Sequence, residues 1–244
     1  MSEGARPPLP APGTAALILD VDATLIDVPA GGAAGLVRPE RIHLLARLHD
    51  RLDGALALLS GRTVEALDEL VAPLQLTLLG VHGVDRRLDD GSRQRPEALD
   101  ALGPARATLG AFALEHPGVR FEDKGVALAL QGGGAAARGV AERVLGAAGG
   151  ELVLRGVADT VELVPAGHDE ATALAALAAA PSFRGRRPVF VAGAEGREAG
   201  LRAAAARDGT AIVVGPTEAS QATEAWRLED RAALEAWLED WLCR

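Results

Sequence analysis

The chain has 244 residues, 48% of them hydrophobic, and a formal net charge of −9. This length suffices for one large domain or two small ones, and the acidic balance argues against nucleic acid or an anionic membrane as a partner. The one cysteine, Cys243, excludes an intramolecular disulfide, and we expect a cytoplasmic protein. Residues 1–13 are rich in proline and alanine and predict a disordered tail.

The first predicted strand, Ala16–Asp20, ends in two carboxylates one residue apart, Asp20 and Asp22. We expect Asp20 at the carboxyl end of the strand and Asp22 in the loop beyond it. In an open α/β sheet, ligands bind outside these strand ends. One carboxylate there can attack phosphorus while the other handles protons, and the pair can also supply oxygen ligands to Mg²⁺. Taken alone, the same motif also fits an acidic turn without function.

A helical pattern over Pro39–Leu52 leads to a second strand, Ala55–Leu59. It ends in a small polar turn containing Ser60 and Arg62, whose hydroxyl, backbone N–H groups and cation suit a phosphate. The same residues could instead cap the next predicted helix, Thr63–Val71. The alternation of strands with helices predicts a parallel sheet.

The middle of the chain has a different pattern of predicted elements, with short strands around one helix. This pattern is typical of a small α+β insertion. We therefore expect a core domain of residues 1–103 and 167–244 and an inserted domain of residues 104–166. Three tryptophans, Trp226, Trp237 and Trp241, fall in a C-terminal stretch that we predict to be helical. Core packing is the expected role of these tryptophans.

The ends of the first two strands together resemble motifs one and two of the haloacid-dehalogenase (HAD) phosphatases. Three later segments narrow the resemblance to the trehalose-6-phosphate phosphatase family. Residues 79–86 resemble its G-x-H-G-x-E-x-R loop, residues 121–130 its E-x-K cap strands, and residues 161–167 its V-E-x-x-P-x-G segment. The order and spacing of these segments are more specific than any one of them.

The resemblance implies a Rossmann-like HAD core with a parallel sheet, a small α+β cap, and Mg²⁺-dependent hydrolysis of a disaccharide phosphate such as trehalose 6-phosphate. Asp20 would attack phosphorus and Asp22 would protonate the leaving sugar oxygen, and both would hold Mg²⁺. Water would then hydrolyse the aspartyl-phosphate. The implied phosphate contacts are Thr24, Ser60 and Arg62, and the implied substrate contacts are His82, Glu122, Lys124 and Glu162.

Several functional positions depart from the pattern of the resembled family. Its lysine after V-E-x-x-P-x-G is Glu170 here, and the first two aspartates of its metal loop are Gly193 and Ala194. The third aspartate of that loop is Arg197, and the glycine of motif one is Ala23. We therefore expect Mg²⁺ binding to be weak or absent.

We also expect impaired catalysis, because phosphoryl transfer depends mainly on charge stabilisation. Two like charges about 4 Å apart repel by roughly 4 kcal/mol at an effective dielectric near 20, which is worth about a thousandfold in rate. Glu170 would exert this repulsion on Asp20. Two hypotheses remain: an impaired phosphatase, or a pseudophosphatase that binds a sugar phosphate or an unidentified partner protein.

Overall fold

The computed structural model describes residues 6–27, 35–97, 99–157, 159–193, 197–215 and 225–244. The chain forms two compact units, one of Met1–Arg93 with Asp169–Arg244 and one of Gln94–His168. The predicted insertion, residues 104–166, falls inside the second unit, and its limits stay a prediction. None of the helices in the described part of the chain has the length and apolarity to span a bilayer.

Strands and helices alternate through much of the first unit, whereas in the second unit each helix is followed by a pair of strands. In chain order they are β1 (Ala15–Asp20), α1 (Val21–Thr24), β2 (Ile26–Asp27), β3 (Leu36–Val37), α2 (Pro39–Arg51), β4 (Leu56–Leu59), α3 (Val64–Val71), β5 (Thr77–Gly80), β6 (Asp85–Arg87), β7 (Arg93–Gln94), α4 (Leu102–Glu115), β8 (Arg120–Asp123), β9 (Leu128–Gln131), α5 (Gly134–Ala147), β10 (Leu152–Val157), β11 (Thr160–Pro165), α6 (Glu170–Leu177), β12 (Arg187–Gly193), α7 (Glu198–Ala205), β13 (Thr210–Val214), β14 (Trp226–Leu228) and α8 (Arg231–Leu242).

The main sheet has eight strands in the order β14-β13-β12-β1-β4-β5-β6-β7. Strand β1 lies between β12 and β4 and runs parallel to both, so the carboxyl ends of the three strands meet at one edge. Except for Asp20 at the end of β1 and Arg187 at the start of β12, their residues are apolar and nearly all are buried, as parallel strands covered on both faces require. The predicted α/β fold with a parallel sheet is confirmed, although β6 runs antiparallel to β5. Trp226 lies on β14 rather than in a helix, so that part of the helical prediction is wrong.

The second unit is an α+β unit with its own hydrophobic core. Its antiparallel sheet has the order β10-β11-β9-β8. Helices α4 and α5 pack on this sheet through Leu109, Ala137 and Val140, which bury Leu128 and Leu163. The separate core explains why this segment folds as a compact unit.

Part of the amino-terminal segment packs against helix α8. The Trp237 indole donates a hydrogen bond to the Pro7 carbonyl over 3.1 Å, and the Trp241 indole donates one to the Pro10 carbonyl over 2.7 Å. Buried tryptophan N–H groups need such acceptors. The prediction of a disordered tail over residues 1–13 is therefore wrong for Pro7 and Pro10, while residues 1–5 lie outside the described residues. Both indoles are buried, as expected.

Candidate active site

Two polar strand ends meet at the carboxyl edge of the main sheet. Asp20 is the last residue of β1, and Ser60 follows the last residue of the neighbouring strand β4. Asp22 is the second residue of the short helix α1, not part of the loop that the sequence predicted. The Ser60 hydroxyl donates to Oδ2 of Asp22 over 2.6 Å, so the two strand ends come together.

Asp22 is held by the residues that we predicted to contact phosphate. Its second oxygen, Oδ1, accepts a hydrogen bond from Nε of Arg62 over 3.0 Å. The backbone N–H of Arg62 in turn donates to the Ser60 hydroxyl oxygen over 3.1 Å. Thr24, the third predicted phosphate contact, is buried and donates its hydroxyl to the Asp20 carbonyl over 2.6 Å. All three side chains therefore already have protein acceptors.

Arg197 provides the cation closest to Asp20 among the interactions that the structure describes. Its Nε lies 3.1 Å and its Nη2 lies 3.0 Å from Oδ1 of Asp20. Its Nη1 lies 3.0 Å from Oε1 of Glu170. The three side chains are only 11%, 6% and 2% exposed for Arg197, Asp20 and Glu170, so water screens these charges weakly. The expected repulsion between Glu170 and Asp20 is therefore offset by a guanidinium that contacts both.

Glu170 is placed by the start of helix α6. Asp169 caps this helix by accepting a hydrogen bond from the backbone N–H of Thr172 over 2.8 Å, and the Thr172 hydroxyl oxygen accepts one from the Asp169 N–H over 2.9 Å. Glu170 thus occupies the first helical position, where the helix dipole favours a carboxylate. The dipole and Arg197 together account for a buried glutamate at this position.

The Asp20 carboxyl has a shifted pKa. Burial raises the pKa above its ordinary value because removal from water disfavours the charged form, and the nearby Asp22 charge adds to this effect. The Arg197 cation and the Gly193 backbone N–H act in the opposite direction without cancelling the rise.

His82 joins the same cluster from the loop after β5. Its Nδ1 lies 2.8 Å from Nη1 of Arg197. A guanidinium only donates, so Nδ1 accepts, and the ring proton is on Nε2. The residue adopts a left-handed φ of 58°, and a Cβ added at Gly61 would lie 2.9 Å from its Cε1. A glycine at position 61 therefore makes room for the imidazole.

Gly193 and Ala23 face each other at the end of β12. A Cβ added at Gly193 would lie 2.8 Å from the Cβ of Ala23. An aspartate at 193 would therefore need a smaller residue at 23, which is what the resembled family has there. Ala194 lies outside the described residues.

The remaining predicted substrate contacts belong to the second unit. Nζ of Lys124 lies 2.7 Å from Oε1 of Glu162, and the two side chains are 8% and 6% exposed. Glu122 lies on β8 opposite Ala129 of β9 and is partly buried. The roles of these three residues in substrate binding stay predictions.

Sequence reasoning did not identify Arg197 as a partner of Asp20. Two departures from the pattern of the resembled family, opposite in charge, could have indicated this contact. Glu170 stands where that family has a lysine, and Arg197 stands where it has an aspartate. Opposite charges at two such positions favour an ion pair between them, and Nη1 of Arg197 lies 3.0 Å from Oε1 of Glu170.

Among the residues that the structure describes at this edge of the sheet, the donors around Asp20 do not fit Mg²⁺. Within the described residues, no group of three or more His, Cys, Asp or Glu side chains is arranged to hold a metal ion. A guanidinium lies against Oδ1 of Asp20, one of the oxygens that would be available to a metal.

Comparisons with known proteins agree on the family. The profile of the trehalose-phosphatase family matches residues 18–140. A probable trehalose-phosphate phosphatase from Sinorhizobium fredii (strain NBRC 101917 / NGR234) is 33% identical over 206 residues, which cover 82% of this chain and 78% of that protein. The trehalose-6-phosphate phosphatase of Escherichia coli (strain K12) is 31% identical over 230 residues, which cover 92% of this chain and 85% of that protein. This chain belongs to the trehalose-phosphatase family.

Solved structures share the fold at lower sequence identity. A trehalose-6-phosphate phosphatase related protein superimposes with a TM-score of 0.74 at 19% identity, covering 93% of this chain and 97% of that chain. A phosphatase of the haloalkanoate (HAD) superfamily from Bacteroides thetaiotaomicron superimposes with a TM-score of 0.63 at 20% identity, covering 98% and 99%. The Rossmann-like HAD fold predicted from the sequence is thus confirmed.

Proposed function

We propose that this chain binds a disaccharide phosphate such as trehalose 6-phosphate and hydrolyses it very slowly or not at all. Membership of the trehalose-phosphatase family supports the substrate class. The observation that carries the slow hydrolysis is the contact of the Arg197 guanidinium with Oδ1 of Asp20, at 3.0 Å from Nη2. A cytoplasmic location stays a prediction.

Asp20 is poorly prepared for attack on phosphorus. In that step a carboxylate oxygen forms a bond to phosphorus while the bond from phosphorus to the sugar oxygen breaks. Two guanidinium N–H groups of Arg197 bind Oδ1 and withdraw electron density from it. Burial also raises the pKa of Asp20, which disfavours the carboxylate that attack requires.

The proton transfer that belongs to the same step meets a similar obstacle at Asp22. Proton delivery to the leaving sugar oxygen needs an Asp22 oxygen turned toward that oxygen. Both oxygens instead accept hydrogen bonds, one from Ser60 and one from Arg62. A bound phosphate has to take these donors over from Asp22. Ser60 and Arg62 would then donate to phosphate oxygens in place of the Asp22 carboxylate.

Calorimetry with trehalose 6-phosphate tests the binding, and phosphate release from the same mixture with excess Mg²⁺ tests the turnover. We expect saturable binding, weaker in Arg62→Ala, with phosphate release no faster than in Asp20→Asn. Glucose 6-phosphate is the matched ligand that lacks the second sugar, and we expect it to bind less tightly. Absence of any binding would contradict the proposal and favour the partner-protein hypothesis. Rapid release by the unmodified chain, lost in Asp20→Asn, would contradict the slow turnover.

A further inference from the structure

We propose that the guanidinium of Arg197 takes the place of a divalent cation, so that the acidic site of this chain is complete without metal. The proposal concerns the protein alone and stands whether or not a sugar phosphate is bound. It starts from the position of Arg197, whose Nε, Nη1 and Nη2 contact two buried carboxylates that come from different elements. Carboxylates are the kind of group that would hold a divalent cation.

The contact with Asp20 excludes a metal from the same oxygen. Mg²⁺ binds its oxygen ligands at about 2.0–2.1 Å and keeps several waters around it. Two nitrogens of Arg197 already lie 3.0 and 3.1 Å from Oδ1 of Asp20. A hydrated dication there would meet a like charge at close range. Mg²⁺ can bind this oxygen only if Arg197 leaves it.

The substitutions at this site form two contacting pairs. Glu170 and Arg197 are joined by an ion pair of 3.0 Å, with signs opposite to the lysine and aspartate of the resembled pattern. Ala23 and Gly193 lie so close together that a Cβ at position 193 would clash with the Ala23 methyl group. In each pair, one residue compensates for the other. The departures from the family pattern therefore indicate a site with a new set of contacts, not independent losses of single functional residues.

Replacement of Arg197 should therefore create a cation site. In Arg197→Ala, Asp20 and Glu170 lose their shared cation, and Mg²⁺ can supply the missing charge. We expect millimolar MgCl₂ to raise the thermal midpoint of EDTA-treated Arg197→Ala by roughly 5 °C, as saturation of a site does in a protein of this size. The midpoint of the unmodified protein should move by less than about 1 °C under the same conditions. Arg202→Ala, at an exposed position on helix α7, which begins directly after Arg197, is the matched control and should behave like the unmodified protein.

Two further measurements keep the proposal testable if Arg197→Ala does not fold. The double variant Glu170→Gln/Arg197→Gln removes both charges together and should also gain Mg²⁺ stabilisation through Asp20 and Asp22. Titration of the unmodified chain with Mn²⁺, followed by electron paramagnetic resonance, should show no binding tighter than the millimolar range. Mn²⁺ binding by the unmodified chain at about 0.1 mM or below would overturn the proposal. A folded Arg197 variant that gains no stability from Mg²⁺ would overturn it as well.

Discussion

Replacement of Gly193 by alanine should destabilise the protein through contact with one methyl group. The new Cβ would lie 2.8 Å from the Cβ of Ala23. Carbon atoms pack best at about 3.5–4.0 Å, so one of the two segments has to move. Overpacking of this kind costs about 1–3 kcal/mol. We expect Gly193→Ala to lower the free energy of unfolding by about 2 kcal/mol.

Removal of the Ala23 methyl should relieve this cost. Ala23→Gly alone should destabilise by up to about 1 kcal/mol, because glycine loses more backbone entropy within helix α1. In that background, Gly193→Ala should cost less than about 0.5 kcal/mol. The double-mutant cycle should therefore give a coupling energy of at least about 1 kcal/mol.

Urea unfolding followed by tryptophan fluorescence measures this cycle, because all three tryptophans lie in the first unit. Gly13→Ala is the matched control, since Gly13 lies in the same unit and a Cβ there meets nothing within 4 Å. It should stay within about 0.5 kcal/mol of the parent. Equal costs of Gly193→Ala with and without the Ala23 methyl would refute the steric coupling.

Three other predictions follow from buried charges. Arg197→Ala should lower the free energy of unfolding in urea by roughly 3–5 kcal/mol, because Asp20 and Glu170 stay buried without their shared cation; a loss below about 1 kcal/mol would contradict this. Because burial raises the pKa of Asp20 above 3.8, its proton favours the folded state, and that stability is lost as the pH rises through the folded-state pKa. In Asp20→Asn this decline in stability above about pH 4 should disappear. A pH profile of stability identical to that of the unmodified protein would contradict this prediction. Lys124→Met should destabilise the second unit by roughly 3 kcal/mol, since Glu162 loses its buried ammonium, and unchanged hydrogen exchange in β11 would show that the pair is dispensable.

The strand ends of the core could be predicted from sequence because their signals are local. An apolar run followed by Asp20, and another followed by Ser60, mark two parallel strands whose carboxyl ends meet. The antiparallel strand β6 and the edge strand β14 were missed. Both have only three residues, too few for an alternating pattern to stand out.

The interactions between distant residues could not be read from the sequence. The contact of Arg197 with Asp20 joins residues 177 positions apart, and the contact of Trp237 with Pro7 joins residues 230 positions apart. From its sequence position alone, Glu170 was predicted to repel Asp20, because both side chains carry a negative charge. Only the folded arrangement shows that one guanidinium serves both carboxylates.

Phosphate release from trehalose 6-phosphate, measured across a Mg²⁺ titration with EDTA-treated protein, tests the central claim most directly. Arg197 already occupies the position of a cation beside Asp20, so the account predicts a rate that stays near background and does not change with Mg²⁺. Asp20→Asn should give the same rate. Hydrolysis that rises with Mg²⁺, saturates and disappears in Asp20→Asn would contradict the account and show that Arg197 yields its place to a metal.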